Sequence, residues 1–302
     1  MKALNKIKEG DLLAFDIETA RSERVLQLDT PMYESWSYKQ RGKGFTDLEV
    51  INNYQTDASL FAEFSRVVSV VLGMIKDGKI HTVIYDDLDE HKLLTNLNNH
   101  FNKLLSNNPR LILTGWNIKG FDMPFLFKRM IINGIEPSTI IDVALEKPWN
   151  LTALCLMELW KGSSFTNSSL LSVTTALNLP SPKESIIGSE VSEAFWNGRI
   201  KEISEYCRRD TESVLNIYRK LTLQEPLKTS TKPVEIKTEK LPILTHLFNG
   251  GNYGKKEKDE LQTKMKGMSD SDKAKAKVIL NAMVSTAKGK QTSLTKKDVK
   301  VL

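Results

Sequence analysis

Two β-branched runs, RVVSVVLGMI (66–75) and KIHTVIYDD (79–87), are separated by little more than Asp77-Gly78, and this spacing constrains the fold more than any other feature. Asp-Gly tolerates the positive φ angles that a tight hairpin between twisted strands requires, so an antiparallel pair is expected here. Strand and helix patterns alternate around it. LLAFDIETA (12–20) is a short apolar run ending in acids and reads as a buried strand. DEHKLLTNLNNHFNKLLSN (89–107) sets Leu93, Leu94, Leu97, Phe101, Leu104 and Leu105 on one helical face before Asn107, Asn108 and Pro109 stop it. RLILTGWN (110–117) reads as another strand, entering a turn at Gly115–Gly120 and then a helix from about Asp122 to Asn133 with Pro124 in its first turn. TIIDV (139–143) is expected to be a fifth strand, followed by helical patterns at 151–161 and 168–178 and a long final helix over 190–221. The order describes an α/β fold with a mixed five-stranded sheet flanked by helices.

Three regions fall outside that frame. Residues 21–60 carry few periodic signals and read as a long excursion holding Tyr33, Trp36, Tyr38, Phe45 and Tyr54 with Lys39, Arg41 and Lys43 nearby. Aromatics interleaved with cations suit a single nucleic-acid strand, and equally suit a loop anchored on a sheet by its rings. Trp160, Lys161, Trp196 and Arg199 leave the same choice open. Residues 226–242, with Lys/Thr/Pro clusters and no apolar period, read as a linker between a domain at 1–225 and a small basic helical segment at 243–302. From Leu227 onward there are 17 lysines against 8 acids, although the whole chain carries only +6. An acidic or neutral body with a basic tail suits a protein that coordinates cations and touches a polyanion, and a lysine-rich tail also serves simply to solubilise a chain. No run reaches the roughly 20 apolar residues of a membrane span, and the first residues lack a secretory signal, so a cytoplasmic protein with no membrane partner is expected. Two cysteines and four scattered histidines show no zinc-binding spacing.

The acids are more informative. Asp16 and Glu18 lie two apart on a strand and so leave the same face. Asp122 follows the fourth strand, where its plain role is a helix N-cap. Tyr206 and Asp210 are four apart on the last helix and share a face, with Arg208 and Arg209 as possible ion-pair partners for Asp210. If the first and fourth strands are neighbours, Asp16, Glu18 and Asp122 converge at their C-terminal ends, where open α/β sheets place ligands. A cluster of oxygen donors alone selects hard cations such as Mg²⁺ or Mn²⁺.

LAFDIET (13–19), GWNIKGFDMPFL (115–126) and YCRRD (206–210) together resemble the three exonuclease motifs of the DnaQ-like superfamily. They are most similar to the exonuclease domain of family-B DNA polymerases and related stand-alone exonucleases. The middle motif is the most specific, matching at Asn117, Phe121, Asp122 and Pro124, and the resemblance covers about residues 10–222. It implies an RNase H-like fold and a metal-dependent 3′–5′ exonuclease. Position 205 is Glu, where one branch has His, and Tyr206 stands four before the last Asp, as in the tyrosine (DEDDy) branch.

By this resemblance Asp16, Glu18 and Asp210 hold one of two Mg²⁺ or Mn²⁺ ions, and Asp16 with Asp122 helps place the second. Tyr206 orients the attacking water, since a phenol with a pKa near 10 is a poor base. Asn117 and Phe121 lie beside the terminal nucleotide, and Thr19 offers its backbone or hydroxyl to the terminal sugar. The implied substrate is DNA with a free single-stranded 3′ end, degraded to nucleoside 5′-monophosphates in replication proofreading or DNA repair. A DNA polymerase or other replication protein is an implied partner of residues 243–302. Two alternatives stay open: a 3′–5′ exoribonuclease of the same fold, and a non-catalytic nucleic-acid-binding accessory protein of a polymerase.

Overall fold

The sheet is built around one central strand. In the computed structural model, β1 (Leu12–Arg21) pairs antiparallel with β2 (Ser65–Lys76) on one side and parallel with β4 (Ile112–Gly115) on the other. Flanked on both edges and covered on both faces, β1 is a nearly continuous apolar run. β2 continues into β3 (Lys79–Asp86) through the expected hairpin, with Asp77 at φ 52° and Gly78 at φ 68°. β5 (Leu154–Cys155) extends β4, and β6 (Val234–Glu235) adds a short parallel edge to β3. The order β5-β4-β1-β2-β3-β6 keeps the mixed five-stranded core of an RNase H-like fold, with one two-residue strand beyond it.

The structure describes residues 4, 7–40, 44–144, 146–147, 153–183 and 186–228, and the backbone of 234–235; all fall within one compact unit, Met1–Ile236. Most of the expected linker and the basic segment at 243–302 lie outside the described residues. Within them no helix is long and apolar enough to cross a membrane.

Each face of β1 meets a different layer, because alternate side chains point in opposite directions. Leu13, Phe15 and Ile17 pack on α3 (Glu90–Asn107) and α4 (Asp122–Ile132) through Leu93, Leu94, Leu97, Phe101 and Leu126. Leu12 and Ala14 face α8 (Ile200–Leu221) at Val214, Leu215, Ile217 and Tyr218. Asp89 caps α3 by accepting the Lys92 N–H at 3.2 Å. The buried Glu90–Arg129 pair ties α3 to α4, and Glu90 Oε1 also accepts the Val67 N–H at 2.7 Å. α8 approaches β2 closely at Gly73, where a Cβ would stand 2.8 Å from Thr211 Cγ2 and 3.2 Å from Leu215 Cδ1.

Two expectations are corrected. The segment 139–143 is a turn: the Ile141 N–H bonds the Ser138 carbonyl at 3.0 Å, and Asp142 Oδ1 takes the Ala144 N–H at 2.9 Å. The edge of β4 is taken instead by Leu154 and Cys155, with Thr114 Oγ1 donating to the Leu154 carbonyl at 2.8 Å. The long helix at 190–221 is two, α7 (Val191–Trp196) and α8, with α5 (Leu156–Lys161) and α6 (Leu170–Ala176) before them. Gly198 at φ 74° ends α7, its N–H bonding the Phe195 carbonyl while the Arg199 N–H reaches the Ala194 carbonyl, the paired bonds of a glycine C-terminal cap.

The excursion at 21–60 is also ordered, as α1 (Pro31–Gln40) and α2 (Asp47–Asp57). Trp36 and Tyr54 are fully buried against each other with Leu26, Val50 and Phe64, so these two rings anchor the excursion and offer no face for stacking. Tyr38 and Phe45 are exposed, while Arg41 and Lys43 lie outside the described residues. Trp196 is similarly spent, donating its indole N–H to the Arg21 carbonyl at 3.2 Å.

The tight seam at Gly73 gives a direct check on how α8 is seated. Gly73→Val should overpack it and cost about 1–3 kcal/mol of stability in urea denaturation, with the midpoint falling and the slope kept.

Candidate active site

The site begins where β4 ends. β4 pairs with β1 only through Leu12, Leu13 and Ala14, so the β1 edge beyond Ala14 faces a gap. The chain leaves β4 at Gly115, where a Cβ would meet the Phe15 carbonyl at 3.0 Å and Ile118 Cβ at 2.9 Å. Asn117 follows at φ 62°, a left-handed position that asparagine tolerates better than most residues. Its carbonyl accepts the N–H groups of Gly120 at 2.9 Å and Phe121 at 3.0 Å, and its side chain folds over Gly120, where a Cβ would lie 2.5 Å from Asn117 Oδ1. These constraints account for Gly115, Asn117 and Gly120 in the middle motif.

The turn delivers Asp122 into the gap. Asp122 is the first residue of α4, preceded by Phe121 as N-cap, and its Oδ1 accepts the Ile17 N–H across β1 at 3.2 Å. The carboxylate thus serves β1 instead of capping its own helix.

Asp16 and Glu18 leave the face of the same stretch that Leu12 and Ala14 turn toward α8. Their partners on β2 are Val71 and Ser69, and the register then slips, leaving Val68 without a partner. Such a bulge bends a strand locally and re-aims its side chains. Facing them, α8 presents Tyr206, Cys207 and Asp210. The Tyr206 hydroxyl shares a hydrogen bond with the Asp210 carboxylate. Cys207 Sγ donates to the Asp16 backbone carbonyl at 3.2 Å, fixing helix to strand. Arg208 is held by Glu205 and Glu212, and Arg209 Nε donates to the Pro182 carbonyl at 3.0 Å. The helix therefore turns an acidic, phenolic face to the strand.

The four carboxylates share one cleft. Glu18 is 8% exposed, Asp122 4% and Asp210 8%, and Asp16 Oδ2 and Asp210 Oδ1 are shut off from solvent with no hydrogen-bond partner among the described residues. Burial raises the Asp16 and Glu18 pKa values well above the carboxylate range, and the charges of Asp210 and Asp122 raise both further. Asp122 and Asp210 are each pushed up to about 7, burial again being the largest cause. Tyr206 moves upward as well, through burial and then the charges of Asp210, Glu18 and Asp16, so its proton is retained. Carboxylates destabilised as anions, two of whose oxygens have no partner among the described residues, are what divalent cations would neutralise.

The remaining expected residues lie around this centre. Phe121 packs on Phe125 with ring centroids 5.2 Å apart, beside the α4 core. The Thr19 hydroxyl donates to the Ser59 carbonyl at 2.7 Å. Two residues were missed in the sequence reading. Lys183, exposed on the segment before α7, acts electrostatically on both Glu18 and Asp210. Cys207 places a thiol among the carboxylates. The Cys207 position inside YCRRD could have flagged it, whereas nothing local marks Lys183.

Carboxylates with raised pKa values make a cation-free protein sensitive to alkali. Between the ordinary value of 3.8 and about 7, the folded protein holds protons that the unfolded chain has released, so stability falls as pH rises through that window. Thermal melts in EDTA should decline from about pH 5 to about pH 8, and Asp210→Asn should flatten that slope and raise the melting temperature at the alkaline end.

The sequence profile of a family described as "predicted 3′–5′ exonuclease related to the exonuclease domain of PolB" matches residues 59–240. That stretch contains Asp122, Tyr206 and Asp210 and starts downstream of Asp16 and Glu18. No curated protein matches the sequence. Among solved structures, the family B DNA polymerase of the hyperthermophilic archaeon Pyrobaculum calidifontis is 17% identical with a TM-score of 0.43. That alignment covers 70% of this chain and 24% of the polymerase, so the chain spans about a quarter of its length. The profile match takes in more than half of the chain, which therefore belongs to the family of predicted 3′–5′ exonucleases related to the exonuclease domain of PolB.

Proposed function

We propose that this protein is a two-metal-ion 3′–5′ exonuclease of the tyrosine branch, acting on single-stranded 3′ ends of DNA and releasing nucleoside 5′-monophosphates. The observation that carries the reading is that Asp16, Glu18, Asp122 and Asp210 lie close enough to act on one another electrostatically, with one buried oxygen each on Asp16 and Asp210 that no donor among the described residues satisfies. Family membership supports the same chemistry. Asp16, Glu18 and Asp210 would hold one Mg²⁺ or Mn²⁺ ion, and Asp16 with Asp122 the second. When bound, such a pair activates water and stabilises the leaving oxygen of an in-line displacement.

The protein's own groups then do the positioning. Asp122 is pinned to β1 through the Ile17 N–H, so its carboxylate is presented in a fixed direction. Tyr206, kept protonated by burial and by its carboxylate neighbours, offers a hydroxyl that orients water and cannot serve as a base. Asn117 and Phe121, on the turn beside Asp122, would flank the terminal nucleotide. Thr19, whose hydroxyl proton is given to Ser59, keeps lone pairs for the terminal sugar. Residues 243–302 would tether the enzyme to DNA or dock a polymerase or other replication protein, placing it in cytoplasmic proofreading or repair.

The decisive assay uses 5′-labelled single-stranded DNA, duplex DNA and RNA with Mg²⁺ or Mn²⁺. A ladder shortening from the 3′ end, strongest on single-stranded DNA and absent with EDTA or Asp16→Ala, is expected; RNA degraded in preference to DNA would redirect the assignment. Tyr206→Phe should slow turnover by about 10²-fold, comparable to losing one oriented donor, without weakening Mn²⁺ binding. Equal loss of both would remove its water-orienting role. For the basic segment, the full chain should bind DNA with a steeper salt dependence than a chain ending after 236, which retains the β6 edge. Identical slopes would leave docking as its function.

A further inference from the structure

The cleft contains one donor that the oxygen-only chemistry does not use. Cys207 sits three residues before Asp210 on α8 and so shares its face. One ligand atom each from Asp16, Glu18 and Cys207 lie within 4.8 Å of one another. The thiol is fully buried, and it donates to the Asp16 carbonyl at 3.2 Å. A separate observation points to a cation in the same place. Among the described residues, none donates to one buried carboxylate oxygen on Asp210, which is 8% exposed, or to one on Asp16. Oxygens withdrawn from water in this way need positive charge beside them.

We propose that Cys207, Asp16 and Glu18 form a thiophilic metal site that captures Zn²⁺ or Cd²⁺ as a mixed sulfur–oxygen complex. Carboxylates alone favour hard cations, and one thiolate changes that preference toward soft ones. On capture the S–H bond breaks, a sulfur–metal bond forms, and the proton leaves to solvent; no electrons are exchanged. The Asp16 carbonyl loses its thiol donor, so the seam between β1 and α8 adjusts as the ion enters. A soft ion seated here occupies the two carboxylates that the exonuclease reading assigns to a hard ion, so Zn²⁺ becomes a competitive inhibitor of Mg²⁺ and Mn²⁺. Only this competition rests on that reading; capture itself does not.

The test needs no nucleic acid. The full chain, stripped with EDTA, is titrated with Cd²⁺ while thiolate-to-cadmium charge-transfer absorption is followed, and Mn²⁺ binding is measured separately by its paramagnetic resonance. A saturable band is expected in the wild type and in Cys155→Ser, whose thiol lies on β5 in the core under α3 and α4. Cys207→Ser should abolish the band and weaken Cd²⁺ roughly tenfold or more, while changing Mn²⁺ affinity by less than about twofold. No band in the wild type at saturating Cd²⁺, or a band that survives Cys207→Ser, overturns the proposal. If circular dichroism shows that Cys207→Ser does not fold, Glu18→Gln is the second test. A retained band with weakened Cd²⁺ binding supports the site, and unchanged affinity defeats it. A protein with a full cadmium band that degrades no nucleic acid would sink the exonuclease reading alone.

Discussion

Four carboxylates held away from water repel one another, and the rest of this structure is arranged to bring them together regardless. Burial is the largest cause of the upward pKa shift at every one of Asp16, Glu18, Asp122 and Asp210, ahead of the neighbouring charges. A fold would not normally accumulate such groups, because each unpaired buried charge costs several kcal/mol. The scaffold must supply the offsetting stability elsewhere. It does so through the two apolar faces of β1, where Phe15 and Ile17 pack under α3 and α4 while Leu12 and Ala14 pack under α8. The cleft is thus a polar interruption at one end of a strand that is otherwise core.

Close backbone approach is what makes the interruption geometrically possible. Gly73 lets α8 settle against β2, and Gly115 lets the chain after β4 pass the Phe15 carbonyl. The first brings Tyr206, Cys207 and Asp210 over Asp16 and Glu18. The second brings Asp122 to the unpaired edge of β1, where the Ile17 N–H holds it. The hydrogen bond from Cys207 to the Asp16 carbonyl locks helix and strand at the point of greatest electrostatic strain. Substituting either glycine would therefore move metal-binding candidates as well as core residues.

The α1–α2 excursion shows how packing resolves what composition leaves open. Its rings were compatible with stacking on bases or with anchoring on the sheet. Trp36 and Tyr54 are buried in a small core of their own, with the Trp36 indole N–H bonded to the Val50 carbonyl at 3.1 Å. A capping box at Thr46 and Glu49 starts α2, a local signal present in the sequence but too weak to outweigh the irregular polar pattern around it. Both helices depend on contacts far along the chain, such as the Tyr54 hydroxyl reaching the Phe64 carbonyl, and helices this short are marginal alone.

Local chemistry was legible in the residues alone: the Asp77-Gly78 hairpin, the buried run of β1, the amphipathic face of α3, and Asp16, Glu18, Asp122, Tyr206 and Asp210 as residues sharing periodic faces or motif positions. These follow from side-chain period and turn stereochemistry, which act over a few residues. Tertiary structure alone decided the rest. The edge of β4 went to Leu154 and Cys155 and not to 139–143, because pairing is a competition between segments that no single segment reveals. α7 and α8 separated at Gly198, a stop whose cap geometry outweighed a continuous helical pattern. Lys183 and Cys207 joined the acidic cleft because electrostatic neighbours are set by distance in space, and sequence separation carries no information about that distance.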